Sequence, residues 1–173
     1  ISSQVDSLQG NIAVVRPGSD ESGSLAQAIA PQSYIASTIT EDDFIDLEKL
    51  GNVTDIAPIM IVNASIKASH TIAKESTVVA STPSLVDIAN LPVRDGQFID
   101  SVTNRDTAVL GNQLSIDLFG TDQSIGRTFT VRGQQFTVIG ILKRINNPIN
   151  FSSVDFDHAA IISLESGKSF HQG

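Results

Sequence analysis

Between Ser124 and Leu142 the chain reads SIGRTFTVRGQQFTVIGIL, and its hydrophobic period changes partway through. Phe129 and Val131 alternate with Thr128, Thr130 and Arg132, as in a strand with one wet face. From Val138 to Leu142 both faces are apolar, as in a strand covered on both sides. Arg132-Gly133-Gln134 lies between them, with a glycine to supply a positive φ, so the stretch predicts a tight β-hairpin. Val138, Ile139 and Ile141 are expected to be buried, and Thr128, Thr130 and Arg132 to face water. Nothing in this segment is suited to chemistry.

A core for such a sheet has to come from Ile, Val, Leu and Phe, because the chain holds eight Phe, one Tyr and no Trp. With 40% hydrophobic and 17% charged residues the 173-residue chain has a globular composition, long enough for one domain or two small ones. Eleven basic against nineteen acidic residues give a net charge of −8, which disfavours nucleic acid and anionic membranes as partners. The one basic cluster, Lys143-Arg144, is too small to reverse that. The absence of cysteine excludes disulfides, thiol catalysis and Cys-ligated zinc. No apolar run approaches the ~20 residues of a membrane span, and no signal peptide is evident. The start at Ile1 rather than Met is expected of a piece of something longer.

Elsewhere the signals are shorter. Ile1, Val5 and Leu8 fall at helical spacing before Gly10, predicting the last turns of a helix, and NIAVV then reads as a strand. Residues 19–37, rich in Ser, Gly, Ala and Gln, read as a long mobile loop. Thr40 with Asp43 resembles a capping box before a helix over Glu41–Leu50, which carries Phe44, Leu47 and Leu50 on one side and ends at Gly51. A strand pair is expected in VTDIAPIMIVNASIKA, broken at Pro58 and buried over Asp55–Met60. STVVAST, DTAVLG and AAIISL read as strands. PSLVDIANL reads as a helix opening near Pro83 with Leu85, Ile88 and Ala89 inward, and NQLSIDLFG as a helix stopped by Gly120. RINNPINFSSVDFDH reads as irregular. This mixed order, neither regular βαβ nor a pure meander, predicts the α+β class.

Few residues could carry chemistry. His70, His158 and His171 are far apart, and Asp155-Phe156-Asp157-His158 reads more economically as a polar loop than as a metal cluster. A triad from Asp155, His158 and a serine lacks a nucleophile elbow. The acidic residues Glu41, Asp42, Asp43, Asp46 and Glu48, set against Lys49, read as a solvated helix face. Gly120–Gly126 follows a helix and lacks the lysine of a phosphate loop. Sequons begin at Asn52, Asn63 and Asn150 and matter only in a eukaryotic secretory setting. The sequence therefore predicts no enzyme, no catalytic, cofactor-binding or metal-ligating residue and no cofactor, and it leaves the binding surface unassigned.

The ordered set of motifs resembles the extracytoplasmic core domain of MacB/FtsX-type ABC transporter permeases. The resemblance rests on VVASTPSLVDIANLPVRDGQFI with Gly96 and Phe98, on DTAVLGNQLSIDLFG with Leu118, Phe119 and Gly120, and on Ile125-Gly126 leading to Val138–Ile141. Upstream, ITEDDFIDLEKLGNVTDIAPI fits the family's helix-then-strand segment.

The resemblance implies a β-rich module of two subdomains. A Porter-like α/β part would cover residues 1–66, with 145–173 returning to it, and a Sabre-like β-rich part would cover 67–144. It further implies a non-catalytic domain outside the cell membrane, extracellular or periplasmic. Such a domain couples cytoplasmic ATP hydrolysis to export or mechanotransmission. Its partners would be an ABC-type ATPase domain or subunit reached through transmembrane helices, a second copy in a homodimeric full-length transporter, and an extracytoplasmic protein or exported substrate of unknown identity. The alternative implied by the same family is an FtsX-like docking domain that regulates a cell-wall hydrolase or another extracellular protein. A free-standing secreted binding protein or hydrolase is a third reading. Measured against the family, a strand–helix–strand after AAIISL is missing, which predicts an open strand edge at Asn11–Val15 or Asp55–Val62 covered by a neighbour or by residues 1–40.

Overall fold

The computed structural model describes residues 4–8, 12–16, 41–101, 104–144 and 154–170, in two compact units divided between Thr54 and Asp55. In the first unit β1 (Gln4–Leu8) and β2 (Ile12–Arg16) form an antiparallel pair running from Gln4↔Arg16 to Leu8↔Ile12. The expected helix at the start of the chain is thus a strand. Three apolar residues at helical spacing cannot outweigh the high cost of nucleating so short a helix when the β-branched strand Ile12–Arg16 lies three residues away. Helix α1 (Glu41–Glu48) forms as predicted and keeps Phe44 and Leu47 half-buried. Leu50 lies beyond its end and is exposed. The loop read over 19–37 and the Thr40 cap lie outside the described residues.

Among the described residues the second unit is built on one sheet of nine strands. They are β3 (Met60–Val62), β4 (Ile66–Ala68), β5 (Thr71–Ala73), β6 (Thr77–Ser81), β7 (Val93–Gly96), β8 (Thr107–Leu110), β9 (Thr128–Val131), β10 (Gln134–Leu142) and β11 (Ala159–Ser163). The sheet order is β3-β6-β11-β8-β10-β9-β4-β5, with β7 on the far half of β10. The class is α+β, as the sequence predicts, with α2 (Leu85–Ile88), α3 (Asn112–Phe119) and α4 (Leu164–Ser169) completing it.

Connectivity forces this sheet to curl. From β3 to β4 there are six strand spacings, ~29 Å if the sheet were flat. Only Asn63-Ala64-Ser65 joins them, and so short a link reaches at most ~14 Å from Val62 to Ile66. The sheet therefore bends into a half-barrel whose concave side holds the core. Val62, Ile66, Ala80, Leu110, Val131, Phe136, Ile141 and Ile162 all belong to that core. Phe129 and Phe136 stack inside it at 5.7 Å, and Phe170, just past α4, meets Phe136 at 6.3 Å. α3 places Leu114 and Leu118 in the core at less than 5% exposure, and Gly120 stops it in the left-handed region at φ 72°.

β3 and β4 are therefore not the strand pair expected. β3 pairs with β6, while β4 pairs with β5 and β9. The stretch before β3 is not buried as expected either: Ile59 is exposed and residues 55–59 form no element. Pro58 has no N–H for a ladder, and its carbonyl instead accepts from Ser81 Oγ at 2.6 Å. α4 was not predicted at all. The strands β3 and β11, from the ranges the resemblance assigns to a Porter-like part, interleave with β6 and β8, from the Sabre-like range, so both ranges share one sheet.

The opening hairpin forms as read. Val131 pairs with Gln134 across Arg132-Gly133, both at positive φ (49° and 82°), the signature of a type I′ turn. The burial of Ile139 is the exception. Val138 and Ile141 are buried at 1% and 0%, but Ile139 is half-buried because a bulge against β8 falls between Val138 and Gly140. Thr128 and Arg132 are exposed as expected, and Thr130 is half-buried.

Candidate functional site

The residues closest to a reactive constellation gather where α3 meets the 3₁₀ turn Phe156–His158. His158 Nδ1 lies 2.7 Å from Asp155 Oδ2, and its Nε2 lies 3.9 Å from Asp117 Oδ2. Asp117 Oδ1 also accepts from Gln113 Nε2 at 2.9 Å. Asp155 does structural work in the same turn, accepting from the Asp157 N–H at 3.0 Å. Gly111, the N-cap of α3, is pressed against the Phe156 and Asp157 carbonyls, where a Cβ would not fit. The cluster thus pins helix to turn. Among the described residues no three or more His, Cys, Asp or Glu side chains are arranged to hold a metal ion.

Two serine hydroxyls near the end of α3 are equally committed. Ser115 Oγ donates to the Thr121 carbonyl at 2.7 Å and lies 2.7 Å from Ser124 Oγ, both serines being fully buried. Neither approaches His158 as a nucleophile would. In the glycine-bearing loop 120–126 three backbone donors are occupied: Gly120 N–H bonds the Ile116 carbonyl, Gln123 N–H the Thr121 hydroxyl and Gly126 N–H the Val138 carbonyl. Arg94, from β7, clamps this loop through Asp122 Oδ2 at 2.6 Å and the Asp122 carbonyl, and meets Asp95 Oδ2 at 2.6 Å. The bond to Asp95 pushes the Arg94 pKa upward; partial burial opposes it and Asp122 adds to it.

A second clamp was not legible in the sequence. Arg132, at the hairpin tip, donates to the Asn63 carbonyl at 2.7 Å and the Phe170 carbonyl at 3.1 Å, and its guanidinium lies 5.9 Å over the Phe170 ring. It joins the hairpin, the β3–β4 link and the end of α4. Its two acceptors lie 69 and 38 positions away, so no local pattern announces them.

The other residues singled out are dispersed. His70 is exposed in the β4–β5 turn, and His171 lies outside the described residues. Asp42, Asp46 and Glu48 on α1 are exposed, Asp43 is half-buried, and Lys49 pairs with Asp46 at 3.1 Å. Lys143, Arg144, Asn52 and Asn63 are exposed, and Asn150 lies outside the described residues.

The motif glycines have a geometric cause. Gly96 sits at φ 75°, and a Cβ there would overlap the Ile139 carbonyl and the Ile125 side chain. Gly140 faces the Gln97 carbonyl as closely, and Gln97 N–H bonds Ile139 O at 3.1 Å. β7 and the bulge in β10 therefore cross backbone to backbone, with Ile125-Gly126 packed beside them. No helix among the described residues is long and apolar enough to cross a membrane.

Known structures share this fold. The periplasmic region of MacB from Actinobacillus actinomycetemcomitans is similar with a TM-score of 0.69 at 14% identity, over 87% of this chain and 65% of that one. The extracellular domain of the noncanonic ABC-type transporter YknZ from Gram-positive bacteria is similar with a TM-score of 0.63 at 17% identity, over 78% of this chain and 67% of that one. This chain thus spans about two thirds of each, and at such identities the likeness is one of fold. No curated protein matches it. The model of one family matches residues 1–172, which include the Gly96–Ile139 crossing, the Gly120 stop and the hairpin, and the chain belongs to that family, the MacB-like periplasmic core domain.

Proposed function

We propose that this chain is a non-catalytic, extracytoplasmic domain of an ABC transporter permease and couples cytoplasmic ATP hydrolysis to export or mechanotransmission outside the membrane. The family match over residues 1–172 carries the reading. The geometry supports it, because side chains that could react are spent on holding elements together, and a sheet curled on one core can move as one body under load. The ATPase would be a separate domain or subunit reached through transmembrane helices, and the full-length transporter a homodimer. The domain would lie on the periplasmic or extracellular side of the cell membrane. Residues 1–66 with 145–173 would form the Porter-like part and 67–144 the Sabre-like part, as chain segments sharing a sheet.

Excision of the domain from the full-length transporter tests this. Basal ATP hydrolysis in membranes should persist while export or downstream signalling is lost. Loss of neither on excision would sink the coupling role. A purified domain that turns over a substrate by itself would sink the non-catalytic one.

A further inference from the structure

β5 ends the curled sheet, with α3 packed against it. β5 has β4 on one side and no described strand on the other. Its hairpin closes with Ala68↔Thr71 across Ser69-His70, so the next pair, Lys67↔Ile72, is a non-hydrogen-bonded one. The N–H and C=O of Ile72 accordingly point away from β4, where an added strand would meet them. Ile72 is also the most exposed large hydrophobic among the described residues, at 54%.

Two lysines, Lys67 and Lys74, flank it. Ile72, Lys67, Thr130 and Gln135 lie in register across β5, β4, β9 and β10, with Thr128↔Thr137 beside them. No carboxylate stands in this row, in a chain with nineteen. Lys67 and Lys74 are exposed, and neither forms an ion pair among the described residues. Glu75, in the bend after β5, is the nearest acid in sequence. Pairing β5 with the same strand of a second copy would gather Lys67 and Lys74 of both copies on one seam, and that repulsion disfavours self-association.

We propose that the β5 edge is a strand-addition site for an extended acidic segment of a partner protein. The segment would exchange both backbone bonds with Ile72, set an apolar side chain against it, and place carboxylates beside Lys67 and Lys74. This inference stands on the edge geometry and not on the transporter reading.

The probe is a synthetic peptide with the core Glu-Thr-Val-Thr-Glu, titrated into the full chain and followed by backbone amide shifts. Shifts should centre on Thr71, Ile72 and Ala73, and affinity should fall at least tenfold on N-methylating the peptide's valine amide, which removes a ladder donor. Binding should also weaken tenfold or more as salt screens the lysines. Ile72→Pro, tolerated on an edge whose N–H bonds nothing in the fold, should abolish binding with the melting temperature retained. Lys67→Glu should transfer the preference to a peptide with lysines in place of the glutamates. Should Ile72→Pro unfold, the N-methyl comparison on the unaltered chain decides. Equal binding of the lysine peptide to the unaltered chain, an N-methylated peptide binding as well as its parent, shifts centred elsewhere, or a dimer formed through β5 would each overturn the proposal. Such a failure would leave the transporter reading, tested by excision, where it stood.

Discussion

Gly96 is where two separable penalties coincide, so its replacement can be dissected. At φ 75° an L side chain pays the left-handed penalty, ~1–2 kcal/mol. Its Cβ would also drive into the Ile139 carbonyl, a backbone atom that can yield only by parting β7 from β10, and such overpacking costs ~1–3 kcal/mol. Each component has its own control. Gly133, at φ 82° with open space around a Cβ, isolates the conformational term, so Gly133→Ala should cost ~1–2 kcal/mol. Gly140 is not at positive φ yet faces the Gln97 carbonyl, so Gly140→Ala isolates the steric term at ~1–3 kcal/mol. Gly96→Ala should approach their sum, ~2–5 kcal/mol, or roughly 4–20 °C in melting temperature for a chain of this size. Urea denaturation followed by far-ultraviolet circular dichroism, with unchanged m-values, would measure all three. If Gly96→Ala cost no more than Gly133→Ala, the backbone crossing would not constrain the fold and the reasoning would fail.

Three further outcomes are expected. Ile141→Lys buries an unpaired charge and should cost more than ~4 kcal/mol, whereas Ile139→Lys should cost ~1 kcal/mol because its long stem can carry the ammonium out from a half-buried site; the reverse order in denaturant midpoints would misplace the bulge. Phe136→Ala removes a fully buried ring in contact with Phe129 and Phe170 and should cost ~3–5 kcal/mol, and a melt near that of the unaltered chain would mean that the core lies elsewhere. Excess zinc should leave the melting temperature unchanged. A rise of several degrees that His158→Ala abolishes would instead make the Asp117–Asp155–His158 cluster a metal site, because a ligand bound only by the folded chain must stabilise it.

What the sequence disclosed was what neighbouring residues decide. Arg132-Gly133 and the alternation around it specify the hairpin, and Gly120 stops α3, because turn dihedrals and helix caps are local choices. β1 was misread because Ile1, Val5 and Leu8 satisfy a helical period that the pairing with β2 overrides. α4 carries no apolar period, and its Gly167 is present for a distant reason: a Cβ there would collide with Ala80 of β6. The half-burial of Ile139 follows from a bulge that only the register with β8 defines. Asp155 and His158, three positions apart in the sequence, do meet, but Asp117 joins them only through the packing of α3. The clamps of Arg94 and Arg132 depend on partners remote in the chain and left no signal of their own.

The position of β11 in the sheet sets the order in which this molecule can be assembled. All five of its residues are buried, and it lies between β6, its parallel partner, and β8, its antiparallel one. Thr77 of β6 therefore waits for Ala159, roughly eighty residues further on, before its second edge is satisfied. In chain order β11 follows both half-sheets, β3–β6 on one side and the strands from β8 to β5 on the other, and joins them only when it pairs with β6 and β8. Closure of so long a loop predicts refolding on the millisecond-to-second scale, not in microseconds. Until that moment Val78–Ala80 and Ala108–Leu110 present facing, unfilled and wholly apolar edges, so the interval before β11 arrives is when the nascent domain is most open to aggregation.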